Sequence, residues 1–183
     1  TARRALRMER PCLDATLGIL RPWGLHAQAI LVGDGVIALQ TQGGPIHWAE
    51  VSFPDGAPGY PVLSLSEPTV AEYLCRFPTG RRVRWFKDAD HLPDNDVAHL
   101  TRDCLAPFIV GVYPDATTAV YVFSDGVHTV RDAFGLPVEP FRVIKEIMSP
   151  PRIAPAFLRR RMNTIKGSFR WTRRALVQSI DTI

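Results

Sequence analysis

An α+β fold is what this sequence predicts, and three observations carry the prediction. Between residues 13 and 53, short apolar runs alternate with Gly- and Pro-containing turn clusters at a spacing of roughly ten residues, as antiparallel strands do. Two more apolar runs, 108–113 and 119–123, are separated by Pro114-Asp115-Ala116-Thr117. Towards both ends of the chain, apolar residues instead recur at three- and four-residue intervals, the period of a helix. A strand-rich body flanked by helices is an α+β arrangement.

The elements follow in order. Residues 1–9 carry Ala2, Ala5, Leu6 and Met8 at helical spacing, and Pro11 closes the segment, so the tail of a helix is expected there. Runs 15–20, 25–32, 36–40 and 46–53 predict four consecutive antiparallel strands, punctuated by Pro22-Trp23-Gly24, Gly33-Asp34-Gly35 and Gln42-Gly43-Gly44-Pro45. Residues 54–59 form a loop, 62–65 a short strand, and 82–86 a half-exposed strand in which basic and bulky residues alternate. Residues 87–96, with Asp88, Asp90, Asp94 and Asp96, lack the central Gly and terminal Glu of a calcium loop; they are expected as a solvated loop or a mobile flap over the site. Runs 108–113 and 119–123 read as a buried hairpin. After Asp125 the chain is helical in character, with helices expected at 139–148, 154–166 and 173–180.

Composition excludes several classes. With 46% apolar and 22% charged residues, 13 glycines and 16 prolines in 183 residues, the chain is neither disordered nor collagen-like, and one domain spanning 1–183 is the default. Its longest apolar runs, such as 29–32 and 108–112, stop far short of the ~20 residues of a membrane span. No signal-peptide pattern opens the chain, and Cys12, Cys75 and Cys104 show no C-x-x-C pairing, so a reducing, cytoplasmic setting without a membrane partner is expected. The net charge of +4 hides an asymmetry. Residues 147–180 hold eight basic side chains and no acid, which leaves the remainder at −4. That basic section reads as the solvated face of helices, as a field steering an acidic phosphorylated substrate, or as a nucleic-acid surface using Phe157, Phe169 and Trp171. Phe157 and Met162 recur with Ile153, Leu158 and Ile165 at core-like helical spacing, so nucleic acid is not the expected partner.

Two Asp-Gly sites each follow an apolar strand: Gly33-Asp34-Gly35 after Ile30-Leu31-Val32, and Ser124-Asp125-Gly126 after Val120-Tyr121-Val122-Phe123. A carboxylate at the exit of a buried strand is held rigidly, and the glycine beside it leaves room for water, metal or phosphate. Asp-Gly is also a common hairpin turn, so a single such site is ambiguous and the pair in order is the stronger signal. Together with Asp14-Ala15-Thr16-Leu17 ahead of them, and Val36-Ile37-Ala38 and Val127 behind them, these motifs give a sequence that resembles the metal-dependent protein phosphatases of the PP2C class, especially their divergent bacterial branch, over most of residues 10–180.

That resemblance implies a sandwich of two antiparallel sheets flanked by helices, Mn²⁺ or Mg²⁺ as cofactor, and phosphoserine or phosphothreonine of a protein as substrate. It implies that Asp125 is a metal ligand presented by the turn residues Ser124 and Gly126, that Asp181 is a second ligand, and that Asp34, between Gly33 and Gly35, shapes the sheet edge beside the site. The chemistry implied is attack on phosphorus by a metal-activated water, with no covalent enzyme intermediate. The family also places an Asp-Gly upstream and an Asp-rich segment at its end, and neither stands in this chain, so a fragment incomplete at its N-terminus and at its C-terminus is expected. The competing reading is a non-catalytic module of the same fold that binds a partner; the upstream Asp-Gly separates the two. His128, three positions after Asp125, is a candidate for the same cleft, whereas His26, His47, His91 and His99 show no ligand spacing. Cys104, near His99, reads as a core cysteine, and Gly33-Asp34-Gly35 is no dinucleotide fingerprint because Ala38 stands where its third glycine would fall.

Overall fold

A computed structural model describes residues 16–41, 44–60, 63, 67–99, 102–132, 134–148 and 169–170. Among these residues the fold is α+β, with two main antiparallel sheets and two α-helices. Strands β1 (Leu17–Trp23) and β2 (His26–Val32) form a hairpin closed at Gly24, whose φ of +60° suits a residue without Cβ. Strand β3 (Gly35–Thr41) pairs with β4 (Ile46–Ser52), and β4 with β5 (Arg81–Lys87). Helix α1 (Glu67–Arg76) lies between β4 and β5 in the chain. The short strands β6 (Asp90–His91) and β7 (Val97–His99) both pair with β5. Strands β8 (Phe108–Val112) and β9 (Thr117–Ser124) follow, then a 3-10 turn (Asp125–Thr129), β10 (Arg131–Asp132), helix α2 (Pro140–Met148) and β11 (Phe169–Arg170).

The smaller sheet has the order β1-β2-β8; the larger runs β6-β5-β4-β3-β9, with β7 also on β5. The period-2 geometry of strands sorts the larger sheet's side chains into two cores. On one face Ile37, Ala49, Val51 and Val83 pack with Ala29, Leu31, Val110 and Val112 of the smaller sheet. On the other face Val36, Ala38, Ile46, Trp48 and Phe123 pack with Val143, Ile144, Ile147 and Met148 of α2. Burial on both faces explains why β3 and β4 read as nearly unbroken apolar runs. Ile144 is fully buried, so Ile144→Ala is expected to lower stability by about 2–5 kcal/mol. A urea midpoint unchanged by that substitution would separate α2 from the sheet.

Several expectations are corrected. Runs 108–113 and 119–123 do not form a hairpin: β8 pairs with β2 and β9 with β3, so residues 113–116 carry the chain from one sheet to the other. The four early strands exist but do not form one continuous meander, because the chain also changes sheet between β2 and β3. Apolarity and turn residues define where strands are; they do not say whether two neighbours pair edge to edge or stack face to face. Residues 87–96 are no flap over the site. They turn back along the far side of β5 from β3, at the lateral edge of the larger sheet, where Asp88 Oδ1 accepts from the Ile46 N–H at 3.0 Å and Asp96 Oδ1 from the Trp85 N–H at 3.1 Å. The segment after Asp125 is not wholly helical, since β10 and β11 pair there.

Helix α1 was not expected. Its signal is present as Val70, Tyr73, Leu74 and Phe77 at helical spacing, with Pro68 in the first turn. It anchors a satellite core of Val70, Tyr73, Cys104 and Leu105, and the Tyr73 hydroxyl donates to the Ala57 carbonyl at 2.6 Å. Leu63 packs against this cluster; residues 62, 64 and 65 of the expected strand lie outside the described residues, as do the expected helices at 1–9, 154–166 and 173–180.

Candidate functional site

The two Asp-Gly motifs meet because of strand register. Gly35, the first residue of β3, is the partner of Ser124, the last of β9, so Asp34 enters and Asp125 leaves the same pair of strands at the same end. Neither motif is a hairpin turn: the first carries the chain between sheets and the second opens the 3-10 turn. Gly33 has φ +91°, and a Cβ there would lie 3.1 Å from the Tyr60 ring. Gly35 has φ +147°, and a Cβ there would fall 2.2 Å from the Phe123 carbonyl oxygen. Both positions therefore require glycine.

Thr16 fixes Asp34 from the other side. Its hydroxyl lies 2.8 Å from the Asp34 carbonyl oxygen and 3.2 Å from Asp34 Oδ1, and shares its single proton between them. Burial first, and the Asp125 charge second, raise the Asp34 pKa above the ordinary carboxylate value, while hydrogen bonds and His128 oppose the rise. Asp125 itself is exposed. Ser124 Oγ accepts from the Gly126 N–H at 3.4 Å and caps the 3-10 turn, while Thr129 Oγ1 donates to the Gly126 carbonyl at 2.9 Å. In a 3-10 helix residues i and i+3 eclipse, so Asp125 and His128 project from one side of the turn.

His128 reaches a residue pair that the sequence reading did not single out. Its Nε2 is 3.7 Å from Glu50 Oε1, and Glu50, at 8% exposure, takes both of its carboxylate oxygens to within 2.9 Å of Arg84 Nη2. Glu50 is the register partner of both Val36 and Arg84, which puts the pair on the α2 face of the larger sheet beside the 3-10 turn. A signal was available: Glu50 is the sole acid in the apolar run 46–53.

The raised Asp34 pKa has a stability consequence with a definite sign. A carboxyl whose folded pKa exceeds its unfolded value contributes stability that is full below the unfolded pKa and is lost as pH rises through the folded pKa. Asp34→Asn keeps an acceptor for Thr16 and removes the charge. It is expected to raise the urea midpoint at pH 7, with the gain over wild type shrinking towards pH 3. A gain that grows on acidification would contradict the cause assigned.

Two facing carboxylates, one of them partly buried, suit a hard dication, whose charge would relieve their repulsion. Glu50 is already neutralised by Arg84. Among the described residues no group of three or more His, Cys, Asp and Glu is arranged to hold a metal ion. Asp181 lies outside the described residues. An open depression of about 470 Å³, lined by Gln40, Ile46, Lys87, Asp88 and Lys145, sits at the opposite end of the larger sheet, away from these carboxylates. Cys104 is buried, burial raises its thiol pKa, and it packs with Val70 and Leu105 as a core residue. Among the described residues no helix is long and apolar enough to cross a membrane. Comparisons with protein families, with curated proteins and with solved structures give no match for this chain.

Proposed function

We propose that this chain is a PP2C-like domain that hydrolyses phosphoserine and phosphothreonine in proteins with Mn²⁺ or Mg²⁺. The observation that supports this best is the Gly35–Ser124 register pair, which brings the carboxylates of two separate Asp-Gly motifs to one sheet edge. Two stacked antiparallel sheets with a helix on the outer face of one agree with the sandwich that the motifs resemble. Asp125, exposed and at the head of the 3-10 turn, would hold the cation; Asp34, tethered by Thr16, would face it from the neighbouring strand end. When bound, the ion supplies an activated water and neutralises phosphoryl charge. Gly33 and Gly35, buried against Tyr60 and the Phe123 carbonyl, would hold the two strand ends, and with them the carboxylates, in place. A cytoplasmic location is proposed with this reading, on the cysteine usage.

One observation favours the competing reading of a partner-binding module: Asp34 and Asp125 are fewer carboxylates than a tight site for hard cations ordinarily uses. The experiment that separates the two is hydrolysis of p-nitrophenyl phosphate by the full-length gene product. Turnover that appears on adding Mn²⁺ or Mg²⁺ and disappears with chelator supports the enzyme. Absence of turnover under both conditions favours the module.

A further inference from the structure

An edge that gathers Asp34 and Asp125 repels a phosphate dianion unless cationic groups meet it. Arg84 is the fixed cation built into this face, joined to the edge through Glu50 and His128. Its Nη2 is committed to Glu50, its Nε is buried with no hydrogen-bond partner, and its side chain is 42% exposed. Among the described residues Nη1 has no hydrogen-bond partner, and with Nη2 committed to Glu50 and Nε buried it is the one nitrogen left for an outside acceptor. Arg82, two positions earlier on β5 and exposed, shares the same sheet face. A guanidinium restrained by a buried carboxylate loses little freedom when its outer nitrogen meets an oxyanion.

We infer that Arg84 binds a phosphoryl oxygen of the substrate and that Glu50 is the residue that positions it. This rests on the phosphatase reading above for the identity of the anion. The test titrates inorganic phosphate into the Mg²⁺-loaded protein by calorimetry and measures KM and kcat for p-nitrophenyl phosphate. Arg84→Gln alone strands Glu50 as a buried, unpaired charge, so the double variant Arg84→Gln/Glu50→Gln is measured beside it, with Arg84→Lys as the charge-conserving control. The double variant is expected to weaken phosphate binding about tenfold, the worth of one charge-assisted hydrogen bond, and to raise KM by a similar factor. Arg84→Lys should recover only part of both, because a single ammonium cannot hold Glu50 and present a second nitrogen to the anion at once. A folded double variant with unchanged phosphate affinity and KM overturns the inference, as does a wild-type protein that takes up no phosphate. Arg84-dependent phosphate binding by a protein that hydrolyses nothing would overturn the phosphatase reading and leave the Arg84 contact standing.

Discussion

Asp125→Asn is expected to reduce Mn²⁺-dependent hydrolysis of p-nitrophenyl phosphate by at least about 10²-fold, the scale on which a single group stabilising charge in a transition state is felt. The substitution is nearly isosteric and falls on an exposed residue, so the thermal midpoint should move little. The cap of the 3-10 turn is made by Ser124 and the Gly126 N–H, not by the Asp125 side chain, so the turn should persist. What disappears is one negative charge beside Asp34. Loss of turnover with an unchanged melting curve would therefore report on metal holding and not on folding. Metal affinity measured directly should fall with activity, and turnover equal to wild type would remove Asp125 from the mechanism.

Gly35→Ala is expected to be the most damaging single substitution for the fold, at about 3 kcal/mol or more. Its Cβ would fall 2.2 Å from a backbone oxygen that is itself fixed by the β3–β9 ladder, so neither atom can yield by a side-chain rotation. The φ of +147° adds strain that any L side chain meets there. Chemical denaturation should show the loss in the midpoint, and activity should fall beyond the unfolded fraction, because a displacement of about 1 Å between reacting groups can cost 10²-fold. Gly24→Ala, with open space around its Cβ, is the comparison: it carries the strain of a positive φ without a collision and should cost clearly less. Equal effects at the two positions would show that the contact with Phe123 is not what matters.

Much of this was legible in the residues. Strands β2, β3, β4, β8 and β9 coincide closely with apolar runs because stretches buried on one or both faces must be apolar in a recognisable way, whereas β1 is an apolar run that is almost wholly exposed and β5 was legible by its alternation of basic and bulky residues. Helix α2 was legible for the same reason: Val143, Ile144 and Ile147 repeat at three- and four-residue intervals on the face it buries. The pairing of those strands was not legible. Residues 113–116 have the composition of a hairpin turn and serve as a crossing between stacked sheets, a difference that depends on distant neighbours and not on the four residues themselves. Helix α1 was hidden because its ten residues follow a Pro- and Ser-rich stretch and bury only Val70 and Tyr73. At the candidate site, Asp34 and Asp125 were visible as strand-exit carboxylates. The Glu50–Arg84 pair was overlooked because its meaning comes from register, which puts a strand's lone acid opposite one of four basic side chains on the next strand.

The two aspartates stand about ninety positions apart in the chain, and only the ladder between β3 and β9 brings them together. Closing so long a loop is entropically late and kinetically slow compared with forming the local β1–β2 ribbon. A chain emerging during synthesis will thus have much of its first sheet's sequence available well before it can assemble the acidic edge. Any cation affinity that depends on this edge should arise in the last stage of refolding, in step with the slowest phase.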